Sequence, residues 1–275
     1  MNGARNSRCR LTFVILASAL LSLLAGPLQA QGLPEDGVDI EDQAAPSDAP
    51  VPTESKLPGK LETFEILGVS WSPGFCETAP RKPECASQTA DRFDASHFTL
   101  HGVWRLGVKT CVAAKTTSGG DRDKPWLEMP EIDISADLKA ELALKMPGVA
   151  SGLDRYQWQR YGICSGMTEE EFFRRALRLV DEINASPLAS LFAASIGREI
   201  NERQINDALV AGFGDGARGK VKMRCKSDGG RQVITGLTFG LARLPATVSL
   251  DGLLANAAPV AIGCKAGIVD AAGFQ

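Results

Sequence analysis

Six cysteines, spread from Cys76 to Cys264, constrain this chain more than any other feature. Cys76, Cys85, Cys111, Cys164, Cys225 and Cys264 form an even set once Cys9 near the start is set aside, as suits an oxidising compartment. Six cysteines permit many pairings. Cys76 and Cys85 lie nine positions apart and are well placed to close on each other, and Cys264 is expected to tie the tail to Cys225. The competing use of such a set is zinc. The chain has no Cys-x-x-Cys pair and only His97 and His101 as imidazoles, so no metal is expected.

The start of the chain agrees with that compartment. Arg5, Arg8 and Arg10 precede an uncharged apolar run from Leu11 to Leu24, broken by Gly26-Pro27 before Leu28-Gln29-Ala30. A run of about 14 residues is short of the ~20 needed to span a bilayer, so residues 1–30 read as a signal peptide cleaved after Ala30. The mature protein is then periplasmic or secreted, with no membrane segment. Residues 31–60 carry seven acidic groups against Lys56 and Lys60, several prolines and no aromatics. Such a stretch cannot repay the entropy of ordering and is expected to be a disordered leader. From residue 61 to 275 the charge is nearly balanced, with 25 basic and 26 acidic residues. Global charge therefore demands no nucleic-acid partner, and any RNA contact must rest on local groups.

At 44% hydrophobic content the remainder can bury a large single core. Phe64 to Trp71 reads as a buried strand stopped by Ser72-Pro73-Gly74, and Phe98 to Trp104 as a second. A loop rich in Gly, Ser and charge follows at Thr116 to Lys124. Ser135 is placed to cap a helix over Ala136–Met146, which Pro147-Gly148 stops. Thr168-Glu169-Glu170-Glu171 is a capping box opening a helix with Phe172, Phe173, Ala176, Leu177 and Val180 on its apolar side. Asn201 to Phe213 is a further amphipathic segment. After Gly219 the period becomes two: Lys220, Lys222, Arg224 and Lys226 alternate with Val221, Met223 and Cys225. That strand reads as having a solvated cationic outer face, with phosphate attraction as the alternative. Asp228-Gly229-Gly230 turns it into a return strand, Val233 to Leu241. Helices interspersed with strands and a terminal hairpin make an α+β domain around a largely antiparallel sheet.

Two stretches carry the chemistry. In Phe98-Thr99-Leu100-His101-Gly102-Val103-Trp104, strand alternation projects His101 to the face opposite Leu100. In Leu153 to Cys164, a helix would put Gln157, Arg160 and Tyr161 on one face and turn Trp158 inward. A Cys111–Cys164 disulfide would bring that face to His101, assembling an imidazole, a permanent cation, an amide and phenols, a set suited to a phosphodiester and its bases.

Phe98 to Trp104 resembles the first active-site segment of the ribonuclease T2 family, and Tyr156 to Cys164 its second. Ser70-Trp71-Ser72-Pro73-Gly74-Phe75-Cys76, the Met146-Pro147 step and the cysteine layout are also similar, over roughly residues 62–270. The resemblance implies a T2-like α+β fold, no metal or cofactor, and endonucleolytic cleavage of single-stranded RNA through a 2′,3′-cyclic phosphate. A monomer is expected. His101 matches the histidine expected to protonate the leaving 5′-oxygen, and Trp104 a tryptophan that stacks on a base. Pro147 and Tyr156 join Trp104 as expected substrate-binding residues. The second segment departs from the family pattern. Tyr156 stands where a phosphate-binding histidine is usual, Gln157 where a glutamate is usual, Arg160 in place of lysine, and Tyr161 in place of the second catalytic histidine. A tyrosine, with an ordinary pKa of ~10, is a poor base at neutral pH. Two readings follow: a weakened endoribonuclease using His101 as acid, Arg160 as clamp and Tyr161 or water as proton acceptor, or a catalytically inactive module that binds RNA or an envelope partner. His97, ~13 Å along the strand from His101, is too far to replace the missing histidine.

Overall fold

The chain is described by a computed structural model covering residues 61–107, 111, 125–261 and 263–273. The expected signal peptide, the acidic leader and the loop at Thr116 to Lys124 lie outside the described residues. In chain order the elements begin with β1 (Glu65–Trp71), α1 (Ser72–Glu77), α2 (Pro83–Ala86) and β2 (Phe98–Arg105). Next come α3 (Ala136–Lys145), α4 (Leu153–Gln157), α5 (Glu169–Asn184) and α6 (Pro187–Ala194). The rest comprises β3 (Arg198–Asn201), α7 (Glu202–Phe213), β4 (Val221–Asp228), β5 (Arg231–Leu241), α8 (Leu250–Ala255) and β6 (Ala266–Val269).

Six strands form one sheet in the order β2-β1-β5-β6-β3, with β4 paired to β5 off this path. Every pairing is antiparallel except the β5–β6 contact at Val233 and Ile268. The long hydrophobic run of β1 is explained by its position, since it is paired on both edges and carries Leu67, Val69 and Trp71 fully buried. These side chains, with Leu237, Phe239 and Leu241 of β5, face the apolar stripe of α5. Helix α5 opens on the expected box: Thr168 Oγ1 accepts from Glu171 N at 3.2 Å and Glu171 Oε2 from Thr168 N at 2.8 Å. Its Phe173, Leu177, Val180 and Ile183 lie in the core, and a buried ion pair, Arg175 to Glu65 at 2.7 Å, ties it to the start of β1. Asn201 caps α7 in the same reciprocal way with Gln204. Ser135 does sit at the cap position of α3, but its hydroxyl donates to Glu170 Oε1 at 2.8 Å instead of satisfying the helix.

All six cysteines are paired. Cys76–Cys85, Cys111–Cys164 and Cys225–Cys264 close with Cα separations of 5.1, 5.6 and 6.0 Å. Among the described residues no helix is long and apolar enough to cross a membrane, and no group of His, Cys, Asp and Glu is placed to hold a metal ion.

The cationic strand differs from expectation at two places. Lys220 precedes β4 and is only 5% exposed, its ammonium donating to the Ala257 carbonyl. Arg224 is not on a solvated face. It is partly buried, and its register places it on the site described next.

Candidate active site

Pleating divides β1 into two faces: Leu67, Val69 and Trp71 turn to the core, Gly68 and Ser70 to the other side. The site is built on that second face. Across from it, β2 does not keep strict alternation. Gly68 pairs with Gly102 but Val69 pairs with Leu100, so His101 is the extra residue of a β-bulge. A bulge bends its strand and re-aims the inserted side chain. His101 is thereby set over Gly68 and beside Ser70, on the face away from the core, while Leu100 pairs with Val69 and lies in the core. The two faces agree with the alternation argument, and His101 lines a cavity of about 170 Å³. Gly102, the next residue, has φ of 155°, which residues with side chains rarely adopt.

The glycines hold the site open. A Cβ on Gly68 would lie 2.9 Å from the Trp104 ring and 3.5 Å from His101 Cβ, so both side chains lie over this one bare position. A Cβ on Gly102 would overlap the Gln157 carboxamide. Helix α4 therefore rests on β2 through Gln157, directly beside His101. Gln157 is only 4% exposed, and its Oε1 has no hydrogen-bond partner.

Beyond Gln157 the backbone widens into a π-helical turn, Trp158–Gly162, closed by Ile163 N donating to Trp158 O at 3.0 Å. Such insertions are frequent at functional sites. Gly162 permits it, because a Cβ there would collide with the Trp158 ring, which is buried edge-on against Phe172. The inward placement of Trp158 matches the sequence reading. The regular helical face expected for Gln157, Arg160 and Tyr161 is instead re-spaced by the wider turn. Arg105 pins the turn to the end of β2, its guanidinium donating to the Cys164 and Ser165 carbonyls at 3.1 and 3.2 Å, and the Cys111–Cys164 bond ties it to Cys111. Cys111 N also donates to Arg160 O at 3.2 Å.

Aromatic contacts link the turn back to the His101 cavity. Tyr161 meets Tyr156 edge-on at 6.3 Å, Arg160 lies 5.6 Å over the Tyr156 ring, and Tyr156 stacks on Trp126 at 4.5 Å. Trp126 lines the cavity with His101, Ser70, Thr99 and Pro147, and Lys82 lies 5.0 Å over its outer face. Two acids also reach this cavity, but both have partners: Glu84 accepts from Ser151, and Asp94 from Arg92 and Gln88. The sequence does not single out Trp126 or Lys82, and Ser70 enters only within the Phe64–Trp71 and Ser70–Cys76 stretches, without a role. Trp126 sits after a long loop with no periodicity to mark it. His97 is spoken for, stacked on Phe93 at 4.3 Å and bonded to the Phe93 carbonyl.

Electrostatics separate the titratable groups. Burial, and secondarily the Arg224 guanidinium, hold the His101 ring down to about 4, so it is neutral at pH 7. Its Nδ1 faces Ser70 Oγ at 3.5 Å. Burial, followed by the neighbouring Tyr156, pushes the Tyr161 phenol up and outweighs the lowering by Arg160. Tyr161 is therefore a protonated hydroxyl at neutral pH. Arg160 and Arg224 each have a buried Nε with no hydrogen-bond partner, and neither guanidinium forms an ion pair among the described residues.

A bulged histidine, a carboxamide beside it, an aromatic slot and guanidinium groups without carboxylates make a cleft suited to an anion bearing flat rings. Comparison with known proteins agrees. Ribonuclease I of Escherichia coli (strain K12) is 25% identical over 249 residues, covering 80% of this chain and 90% of that protein. The solved structure of RNase NT in complex with 5′-AMP matches with a TM-score of 0.51 at 18% identity, covering 76% of this chain and 98% of that one, and supports the fold. The sequence profile of the Ribonuclease T2 family matches residues 63–248, well over half of the chain. By that match, on this fold, the chain belongs to the Ribonuclease T2 family.

Proposed function

We propose that this protein is an exported endoribonuclease that cleaves single-stranded RNA slowly, through a 2′,3′-cyclic phosphate. The observation that carries the reading is the bulge that holds His101 beside Gln157, next to guanidinium groups without acidic partners. Trp104 offers a ring for a base, with Pro147 on the wall of the cavity.

The proton-transfer roles differ from those the family resemblance implies. A donor must carry its proton before the step, and His101 is neutral at pH 7. In this reading His101 accepts the proton of the 2′-hydroxyl as its oxygen attacks phosphorus. The P–O5′ bond breaks, and the departing oxygen takes its proton from the Tyr161 phenol or from water. Arg160 holds the phosphate, and the open acceptor of Gln157 receives a hydroxyl of the sugar. An imidazole with so low a pKa is a weak base and a phenol a weak acid, so the pair supplies less than the ~10²- to 10⁴-fold usual for matched general acid–base groups. Slow turnover follows.

The test is a long incubation of purified mature protein with a defined oligoribonucleotide. Cyclic-phosphate ends are expected from wild type and not from His101→Ala. A second reading is favoured by Tyr161, which replaces a titrating imidazole with a fixed hydroxyl: the scaffold binds RNA without cleaving it. Binding without any cyclic-phosphate product would establish that reading instead.

A further inference from the structure

Arg224 belongs to neither motif, yet the register of the sheet carries it to the same place. Arg224 pairs with Gly236 of β5, and Gly236 pairs on its other edge with Ser70 of β1. Residues directly opposite one another across an antiparallel pair share a face. Arg224, Ser70 and His101 thus stand on one side of the sheet, and Ser70 is the residue facing His101 Nδ1. Gly236 has φ of 155°, and a Cβ there would collide with the Val69 carbonyl. The position must be glycine, and as a result no side chain stands on β5 between Arg224 and Ser70. The strand is also anchored there, by a bulge between Arg224 and Cys225 and by the adjoining Cys225–Cys264 bond.

The guanidinium itself lacks a counter-ion. Its Nε is buried with no hydrogen-bond partner, and the nearby Thr235 hydroxyl donates to the Arg224 backbone carbonyl at 3.3 Å. Burying an unpaired cation is costly, and a fold retains such a group most readily where an anion arrives to complete it. Lys222, two residues earlier on the same face, is exposed and extends the positive charge outward along β4.

We propose that Arg224 is a phosphate-binding residue of this site, contacting the scissile phosphodiester beside His101 and replacing part of the charge lost with the family's histidines. The proposal rests on the reading that the cleft takes RNA, and Arg224 thereby acts beside Arg160 as a second phosphate-recognition element, supplied by β4. The same placement makes the Arg224 guanidinium the second cause, after burial, of the lowered His101 pKa.

The experiment measures binding of an oligoribonucleotide whose scissile position is 2′-deoxy and cannot be cleaved. Arg224→Gln is expected to weaken binding roughly 10- to 100-fold, as for loss of a charge-assisted hydrogen bond. It should also lower the salt slope by about 0.7, the share of one single-strand phosphate contact. Arg224→Lys should recover part of both, and neither variant should be less thermally stable, because no internal partner is lost. A Gln variant that melts earlier but binds within twofold of wild type would assign Arg224 a structural role and overturn the proposal. Titration with inorganic phosphate, read on the His101 ring resonance, separates this from the RNA reading. If wild type ignores RNA but inorganic phosphate shifts the His101 signal only when Arg224 is present, the anion site stands and the nuclease reading falls. If the shift persists in Arg224→Gln, the proposal falls.

Discussion

Acid should destabilise this protein through one imidazole, by an amount the structure sets. The His101 ring is neutral in the fold down to about 4, whereas in the unfolded chain it takes up a proton near pH ~6.5. Between those values the unfolded state binds the extra proton, so the equilibrium moves toward unfolding as pH falls. His101 therefore stabilises the fold fully above pH ~6.5, loses that contribution progressively toward pH 4, and changes little below. At ~1.36 kcal/mol per pH unit the window is worth about 3 kcal/mol. Other groups also respond to acid, so the measurement is a difference. Urea unfolding of wild type and His101→Gln between pH 7 and pH 4 should show wild type losing about 3 kcal/mol more than the variant. The first cause of the low value is burial and the second is Arg224, so Arg224→Gln should raise the ring's midpoint only part of the way. The same number predicts kinetics. If His101 accepts a proton, kcat/KM should be flat from neutrality down to about pH 4 and fall below it. Parallel acid losses in wild type and His101→Gln, or a rate that declines steadily from pH 4 to 7, would refute the neutral-imidazole argument.

Three further outcomes are expected. Tyr161→His should raise RNA cleavage by ~10²- to 10⁴-fold in a single-turnover assay, because only a titrating partner is missing from the π-helical turn. Gly102→Ala should cost about 2–5 kcal/mol, combining backbone strain with overlap on Gln157; it is read as a lower urea midpoint at unchanged slope, with cleavage falling as Gln157 is displaced. Removing Cys111 and Cys164 together opens a loop of 53 residues, worth about 4 kcal/mol on the chain-entropy model; thermal melting and cleavage should fall together, since the same bond ties the Arg160 turn to Cys111.

Much of this architecture is legible from local patterns. The β1 run, the Thr168 box and the heptad-like spacing of α5 each follow from side-chain periodicity and capping chemistry, and local physics governs them. The two stretches proposed to bear the site are recognisable on other grounds, their dense polar and aromatic residue types and their resemblance to the family's two segments. What the sequence did not disclose depends on partners distant along the chain. The bulge at His101 exists only in register with β1, and no property of Phe98 to Trp104 alone distinguishes it from a regular strand. The wide turn at Trp158 needs the Gly162 backbone pressed against a ring that is itself held by Phe172. Trp126 acquires its role by stacking on Tyr156, thirty residues away. Arg224 was visible in the alternation of β4, but whether its face meets water or His101 is decided by strand order and by a glycine on the strand between them.

Where the family resemblance implies histidines, Tyr156 and Tyr161 supply phenols, whose charge does not change between pH 5 and 8 as an imidazole's does. A fixed charge such as Arg160 attracts a phosphodiester in the ground state and the transition state nearly alike, which strengthens binding without speeding the chemical step. A proton shuttle does the reverse, since its benefit appears only as the bond breaks. In the proposed reading, losing a proton shuttle while keeping Arg160 and Arg224, each with a buried Nε and no ion pair among the described residues, moves the site from turnover toward retention. On that argument restoring Tyr161→His should raise kcat far more than it lowers KM, whereas Arg160→Gln should raise KM with little change in kcat. A Tyr161→His variant that gained only in KM would show that proton transfer does not limit this site and that geometry at the phosphate does.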